Sequence, residues 1–392
     1  MWLMKRGTMD FTFSEEQQML RELARRFADA ELKPRAAQVD LDGEVSREVL
    51  QKATELGFMG VAFPEQYDGG GMGEVGYCIL MEELARGCSS TAVVIGGHES
   101  IGAMAIYLAG NDEQKERYLK PMARGELLGA FALTEPEAGS DAAAIKTVAE
   151  DRGDHFILNG QKTFITNGGL ADVYSVFALT TPGVGTRGMS ALIIEKDMPG
   201  FSAGKPERKM GIRGSHTTDL FFENVKVPKV NLLGQIGRGF AVAMQTLDVG
   251  RLSLAAMCLG AAKEALDLSI KHAKERVQFG KPIGEQEAIK WMLADMATEI
   301  YALESVTYRT AWLCDQQLAF SRESAICKLL ASETLCRVVD NAVQIHGGMG
   351  YMADYPIERM YRDARITRIF EGTNEIQRLV ISNSLLKAGK YQ

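Results

Sequence analysis

A change of hydrophobic period, from helical to strand-like and back to helical, constrains the fold of this 392-residue chain more than any other feature. The run Ser14-Glu15-Glu16-Gln17 has the form of a helix capping box, and Leu20, Leu23 and Phe27 follow at helical spacing. Further helices are expected around residues 44–57, 75–87 and 99–122, interrupted by breakers at Pro64 and Asp68-Gly69-Gly70-Gly71. Near Gly129 the pattern changes. Phe156-Ile157-Leu158 and Thr163-Phe164-Ile165-Thr166 flank Asn159-Gly160, a dipeptide that favours a two-residue hairpin turn. Val173–Phe177, Ala191–Ile194 and Leu220–Phe222 carry the strand pattern on to about Pro228. After Gly239 helical spacing returns, and Ile289, Met292, Leu293, Met296, Ile300 and Leu303 form one apolar stripe, read as the packed face of a core helix. Helices, then strands, then helices do not build alternating βαβ units. The order predicts an α+β chain, mostly α. It has an N-terminal α-helical domain over 1–127, a middle β domain, barrel or sandwich, over 128–236, and a C-terminal helical bundle over 237–392. The length suits two or three domains.

Composition narrows function by exclusion. A net charge of -7 with no block of like charge offers no clustered positive face to a phosphate backbone, so no nucleic-acid partner is expected. The six cysteines include no C-x-x-C pair, and a chain this large needs no disulfide staples, which fits a reducing, cytoplasmic compartment. Met1–Arg6 are too short and too soon polar for a signal peptide, and no other apolar run reads as long enough to span a membrane. His98, His155, His216, His272 and His346 are scattered, and with no His or Cys at ligand spacing no metal is expected. The glycines of Gly234-Gln235-Ile236-Gly237-Arg238-Gly239 are in the wrong order for a dinucleotide fingerprint, and no βαβ unit surrounds them. They read as a turn entering a helix.

Three strings carry possible chemistry. Phe131-Ala132-Leu133-Thr134-Glu135-Pro136-Glu137-Ala138-Gly139-Ser140-Asp141 joins hydroxyls, small residues and an acidic turn where helix gives way to strand. Its N–H and hydroxyl donors could approach a planar heterocycle or a phosphate, and the same string also fits a surface turn. Gln344-Ile345-His346-Gly347-Gly348-Met349-Gly350-Tyr351 places backbone amides without Cβ obstruction, and also fits a helix stopped by glycine. In Arg368-Ile369-Phe370-Glu371-Gly372-Thr373-Asn374 one acid sits between an apolar approach and a glycine, directly before a helix. Desolvation there would raise the pKa of Glu371 towards that of a general base, whereas an exposed position would make it a helix-start acid favoured by the macrodipole.

Together these strings resemble the paired signatures of the acyl-CoA dehydrogenase family, Ala132 through Asp141 and Gln344 through Gly350 with Asp354, Arg359 and Asp363. Phe164-Ile165-Thr166-Asn167-Gly168-Gly169, Asp248-Val249-Gly250-Arg251, Arg276-Val277-Gln278-Phe279-Gly280 and Phe370-Glu371-Gly372-Thr373 follow in the family's order, and the likeness runs from about Phe11 to the C-terminus. The resemblance implies a four-helix C-terminal domain and FAD held between the domains and against a neighbouring subunit. It implies a homo-oligomer, a dimer at least and by family norm a homotetramer, with an acyl-CoA substrate and an electron-transferring flavoprotein as partners. It places Phe131, Leu133 and Thr134 along the flavin, Ser140 near the cofactor phosphate or the CoA, and Phe164, Ile165 and Thr166 on the other part of the ring, with Phe164 where Trp is commoner. Arg276, Phe279, Glu287, Gln344, Ile345, His346, Gly347 and Gly348 are implied at the adenosine side of a partner chain's FAD. Glu287 stands where the family usually has Gln, with Gln286 adjacent. Thr373, Asn374 and Glu375 are further implied cofactor residues, and Asp248, Arg251 and Gly372 are implied on the substrate side.

The same resemblance makes Glu371 the base that removes the α-proton of a thioester while the β-hydrogen leaves as hydride to the flavin, giving a trans-2-enoyl-CoA. Some branches carry the base at the position before the arginine of Asp-x-x-Arg, which is Gly250 here. Gly96-Gly97-His98-Glu99-Ser100-Ile101-Gly102, Asn167–Asp172 and Lys209–Ile212 are similar to the very-long-chain branch, without its extra C-terminal domain. Glycines at 96 and 97, near the implied floor of the acyl pocket, would leave it deep, so medium to long straight chains are the expectation, with short or branched chains left open. An acyl-CoA oxidase, an enoyl-CoA reductase or a non-catalytic flavin-binding assembly protein are the alternatives on the same fold.

Overall fold

The computed structural model describes residues 12–389, so the reading of Met1–Arg6 lies outside the described residues. The N-terminal part holds helices α1 (Glu15–Phe27), α2 (Ala36–Asp42), α3 (Arg47–Glu55), α4 (Gly73–Gly87), α5 (Ser89–Gly96), α6 (Met104–Ala109), α7 (Asp112–Gln114) and α8 (Lys120–Ala123). Strands β1 (Gly129–Ala132), β2 (Val148–Asp151), β3 (His155–Thr166), β4 (Val173–Leu179), β5 (Met189–Glu195), β6 (Phe201–Ala203), β7 (Thr217–Pro228) and β8 (Leu232–Leu233) follow. Then come α9 (Gly239–Glu275), a small hairpin of β9 (Val277–Gln278) and β10 (Lys281–Pro282), α10 (Glu287–Asp315), α11 (Ser321–His346), α12 (Pro356–Ala364) and α13 (Asn374–Ala388).

Local signals set several boundaries. The capping box at Ser14 is formed reciprocally with Gln17. The α10 stripe points inward as its period requires, with Met296, Ile300 and Leu303 fully buried. The helix expected over 99–122 divides differently. It begins at Ser89, passes through a wide π-type turn over Gly97–Ala103, and stops at Gly110, whose ψ of 145° is extended. Asn111 then starts a new helix through a capping box with Gln114.

The middle sheet runs in the order β6-β7-β3-β2-β4-β5-β8, with β1 parallel to β4. Its end strands β6 and β8 do not pair with one another, so the sheet is open and the barrel alternative does not hold. The hairpin expected at Asn159-Gly160 is also absent, because β3 is one continuous strand across both residues. Long-range pairing with β2 and β7 overrides the turn propensity, and the dipeptide becomes a bulge where the β3–β7 register shifts. Gly160 is required there, since a Cβ would lie 2.5 Å from Thr147 Oγ1.

The helices on either side of the sheet in sequence share one hydrophobic core, from Ala24 and Tyr77 to Leu335 and Ala364. Its centre is the crossing of α4 and α9, where a Cβ on Gly260 would come within 1.9 Å of the Glu82 carbonyl oxygen. Two buried acids of α4, Glu82 and Glu83, are paired with neighbouring helices, as low-dielectric surroundings favour. Glu82 accepts from Lys263 of α9 at 2.8 Å and from Tyr308 of α10 at 2.6 Å, and Glu83 binds Arg25 of α1 at 2.6 Å. Contrary to the sequence expectation, Ser89–Ala109 and Gly239–Glu275 are long and apolar enough to cross a membrane, with mean hydropathies of 1.4 and 1.2. Both are largely buried inside the fold and act as core helices.

Gly260→Ala forces apart two helix backbones and is expected to destabilise the fold by about 1–3 kcal/mol. Urea denaturation followed by circular dichroism reads this as a lower midpoint, and an unchanged midpoint would contradict the tight crossing.

Candidate active site

After one 3₁₀ turn over Arg365–Arg368 the chain reverses into α13 through two left-handed residues, Glu371 (φ 54°) and Gly372 (φ 89°). A non-glycine residue in this region costs about 1–3 kcal/mol unless its surroundings impose it. Here they do. The Glu371 carbonyl accepts from Arg251 Nε at 3.1 Å and Gln377 Nε2 at 3.3 Å. The Gly372 carbonyl accepts from Lys328 Nζ at 2.7 Å and Gln377 Nε2 at 2.9 Å. Side chains from α9, α11 and α13 therefore fix the turn by its backbone and leave the Glu371 side chain uncommitted.

That side chain points inward. The residue as a whole is partly exposed, but Oε2 is buried and has no hydrogen-bond partner. Burial pushes the carboxyl up to about 7, against the opposing pull of Arg251 and Lys328. A Cβ on Gly250 would sit 2.8 Å from Glu371 Oε2 and 2.7 Å from Ile101 Cγ2. The carboxylate thus lies against the position 250 backbone, and a side chain there would have to displace it or Ile101. Asp248 and Arg251, expected on the substrate side, are bound to one another beside the loop: Arg251 Nη1 binds Asp248 Oδ1 at 2.8 Å while its Nε holds the Glu371 carbonyl.

The Phe131–Asp141 string and the Phe164–Thr166 segment meet across a clasp. Lys162, fully buried, donates to the Leu133 carbonyl at 3.0 Å and to Glu135 Oε1 at 2.7 Å, and Thr163 N donates to the Thr134 carbonyl at 2.9 Å. Phe131 is buried against the Phe177 ring at 4.8 Å, Leu133 is buried, and Thr134 is half-buried. Phe164 then turns outward in a left-handed conformation with 66% of its surface exposed, while Ile165 is buried. Thr166 reaches Gly97, where a Cβ would lie 2.8 Å from Thr166 Cγ2. Gly97 and Ile101 share the π-type turn that touches Gly250, so the sheet segment and the Glu371 loop belong to one neighbourhood. Ser140 lies on the exposed turn that follows the Glu135–Ala138 bridge.

A second group collects at the ends of α9 and α11. His272 and His346 stack with ring centroids 4.3 Å apart, which sets the Arg276 end of α9 beside the Gln344–Gly348 turn. Ile345 and His346 are buried, while Gln344, Gly347 and Gly348 face outward, and a Cβ on either glycine would meet nothing within 4 Å. Phe279 stands 95% exposed in the β9–β10 turn with φ 52°, and Glu287 is exposed at the start of α10. Along α11 the His346 end lies roughly 27 Å from Lys328, at 1.5 Å per residue. The two groups therefore form separate sites within one chain.

Near Glu371, Thr373 caps α13 by accepting from Ile376 N, and Glu375 is exposed. Asn374 is buried, its Oδ1 committed to Lys328 and Ser332 and its Nδ2 without a partner. Lys328, Lys162 and Glu135 escaped sequence reasoning. One signal was present for Lys328: it falls on the inward face of α11 with Ala325, Ala331, Ser332 and Leu335. Among the described residues no group of three or more His, Cys, Asp or Glu could hold a metal.

A desolvated carboxyl beside a sheet wall with an outward aromatic fits an oxidoreductase that acts on a carbon acid. Family models named acyl-CoA dehydrogenase N-terminal, middle and C-terminal domain match residues 14–126, 130–225 and 237–386. An acryloyl-CoA reductase (NADH) of Anaerotignum propionicum is 48% identical over 97% of this chain and 96% of its own length. A subunit of the caffeyl-CoA reductase–Etf complex of Acetobacterium woodii is 46% identical over 96% of this chain and 99% of its own. The solved butyryl-CoA dehydrogenase of Megasphaera elsdenii is 43% identical with a TM-score of 0.95, covering 96% of this chain and 100% of that one. An acyl-CoA dehydrogenase from Bacillus anthracis solved with FAD is 40% identical with a TM-score of 0.91, over 96% of this chain and 68% of that one. The chain belongs to the acyl-CoA dehydrogenase family, whose members are oxidoreductases acting on CH–CH groups.

FAD is the cofactor of this family, and the residues present fit it. The outward Phe164 on a clasped sheet edge suits a planar ring, and the unobstructed amides at Gly347 and Gly348 suit a phosphate.

Gly250→Ala should displace the Glu371 carboxylate while leaving the Lys162 clasp intact. Anaerobic stopped-flow with acyl-CoA is expected to show flavin reduction slowed at least about tenfold with unchanged FAD content; an unaffected rate would show that the carboxylate does not need the space beside position 250.

Proposed function

We propose that the protein is a short-chain acyl-CoA dehydrogenase in which Glu371 takes the α-proton of the thioester. The observation that carries the reading is a buried carboxylate oxygen with no partner, in a turn whose two carbonyls are held by other side chains. Such a group is ready to accept a proton without breaking any bond of its own. The Cα–H bond breaks, its proton passes to Glu371, and its electron pair forms the new Cα–Cβ π-bond as the β-hydrogen leaves with its electrons, giving a trans-2-enoyl-CoA. Bound FAD supplies the acceptor for that hydride. Phe131, Leu133, Thr134, Phe164, Ile165 and Thr166 would line it, with Ser140 towards a phosphate. The proposed domains, 1–127, 128–236 and 237–392, would meet around it.

Chain length is proposed as short, in place of the medium to long preference expected from the sequence. The relatives are named for acryloyl, caffeyl and butyryl thioesters. Gly96 and Gly97 leave no deep space either, since their Cβ positions are taken up by Met81 Cε at 3.0 Å and Thr166 Cγ2 at 2.8 Å. The proposed electron partner is an electron-transferring flavoprotein, supported by the relative named in an Etf complex. The far group of Arg276, Phe279, Glu287 and Gln344–Gly348 would complete the cofactor site of a neighbouring copy, since it lies too far along α11 to serve its own Glu371. A homo-oligomer follows. A reducing compartment agrees with six unpaired cysteines. Net flux in the reductive direction is a second reading, favoured by the two relatives named as reductases.

Anaerobic titration of the holoprotein with butyryl-, octanoyl- and palmitoyl-CoA tests the reading. Butyryl-CoA is expected to bleach the flavin with the highest kcat/KM, and a palmitoyl preference would overturn the short-chain assignment. Because the base must be unprotonated, kcat/KM should rise with pH and level off above about 7. Glu371→Gln is expected to lose about 10²–10⁴ in rate.

A further inference from the structure

Among the described residues two lysines are wholly buried, and they differ in one respect. Lys162 has a carboxylate partner in Glu135 at 2.7 Å. Lys328 donates only to neutral oxygens, the Gly372 carbonyl at 2.7 Å and Asn374 Oδ1 at 3.0 Å. No carboxylate of the described residues lies within 4.0 Å of its ammonium. An ammonium removed from water without an anion carries a large desolvation penalty, which Coulomb attraction to a nearby anion must offset. Of the acids packed around it, Glu371 has the strongest influence, followed at longer reach by Glu375.

Charge matching within this shell points the same way. Arg251 is neutralised by Asp248 at 2.8 Å. That leaves Lys328 from α11 and Glu371 from the loop as the unmatched cation and anion, with Cys258 of α9 as the other titratable neighbour of both. The geometry keeps them apart as a direct pair. Lys328 is bound to the carbonyl of the residue after Glu371, so its charge is fixed close to the carboxylate without consuming a lone pair that the proton will need.

Resting on the assignment of Glu371 as the base, we propose that Lys328 is a positioning residue. It clamps the Glu371–Gly372 turn through the Gly372 carbonyl and supplies the uncompensated positive charge that favours the ionised Glu371 carboxylate against the effect of burial. Lys328 thus acts on the proton acceptor through the turn and through its charge.

The test is the pH dependence of flavin reduction by butyryl-CoA, per bound flavin, in anaerobic stopped-flow. Lys328→Met should move the acidic limb to higher pH by about one unit, the size that loss of a nearby opposite charge produces. At pH 6 this is a rate loss of about tenfold that shrinks as the pH rises. Lys328→Arg should retain the wild-type limb. Asn374→Asp keeps the lysine but gives it a carboxylate partner, and should move the limb in the same direction, which guards against misfolding of the methionine variant. A limb that stays in place in both Lys328→Met and Asn374→Asp, or a pH-independent loss in both, would show a purely structural lysine and overturn the proposal. A wild-type flavin that no acyl-CoA bleaches would fail the base assignment itself, an outcome separate from either of these.

Discussion

A carboxylate that forms no hydrogen bond can be aimed only through its backbone, and the site depends on that constraint. Arg251, Lys328 and Gln377 grip the carbonyls of Glu371 and Gly372 from three helices. Their hold offsets the cost of a left-handed glutamate and leaves Oε2 free in a buried space. Were the side chain itself anchored, its pKa would fall and its lone pairs would be occupied. Anchoring the peptide instead of the carboxyl gives both a defined direction and a raised proton affinity.

The rest of the fold serves to bring those three helices and the sheet to one place. The close crossing of α4 and α9 at Gly260 sets α9, and with it Gly250 and Arg251. The π-type turn over Gly97–Ala103 interrupts an apolar core helix where it must meet both Thr166 of the sheet and Gly250 of α9. Wide turns of this kind often occur at functional positions. Three of the eight non-glycine left-handed residues among those described, Phe164, Phe279 and Glu371, also fall at positions for which a cofactor or catalytic role is proposed.

Local information was legible in the sequence and long-range information was not. The Ser14 capping box and the α10 stripe depend on residues three or four apart, and both form as read. Asn159-Gly160 carries an equally local turn signal, yet β3 runs straight through it because pairing with β2 and β7 decides its conformation. Glu371 was legible from its setting between apolar residues and glycine. Its relation to Gly250 needed the structure, since no spacing shows that two positions 121 residues apart compete for one volume. The surroundings of Gly96 and Gly97 likewise needed the structure, since only there are Met81 and Thr166 seen to lie against them. Lys328 was passed over because a lysine ordinarily marks a solvated face, although its place on the inward stripe of α11 marked it as different.

The central claim is that Glu371 is a desolvated base whose proton affinity is set before substrate arrives. Difference infrared spectroscopy of the holoprotein, wild type minus Glu371→Gln, follows its carboxyl directly across a pH titration. The account predicts one protonated-carboxyl band, lost with the substitution, that titrates with a midpoint of about 7. A midpoint near the ordinary 4.5 of an exposed glutamate would contradict it.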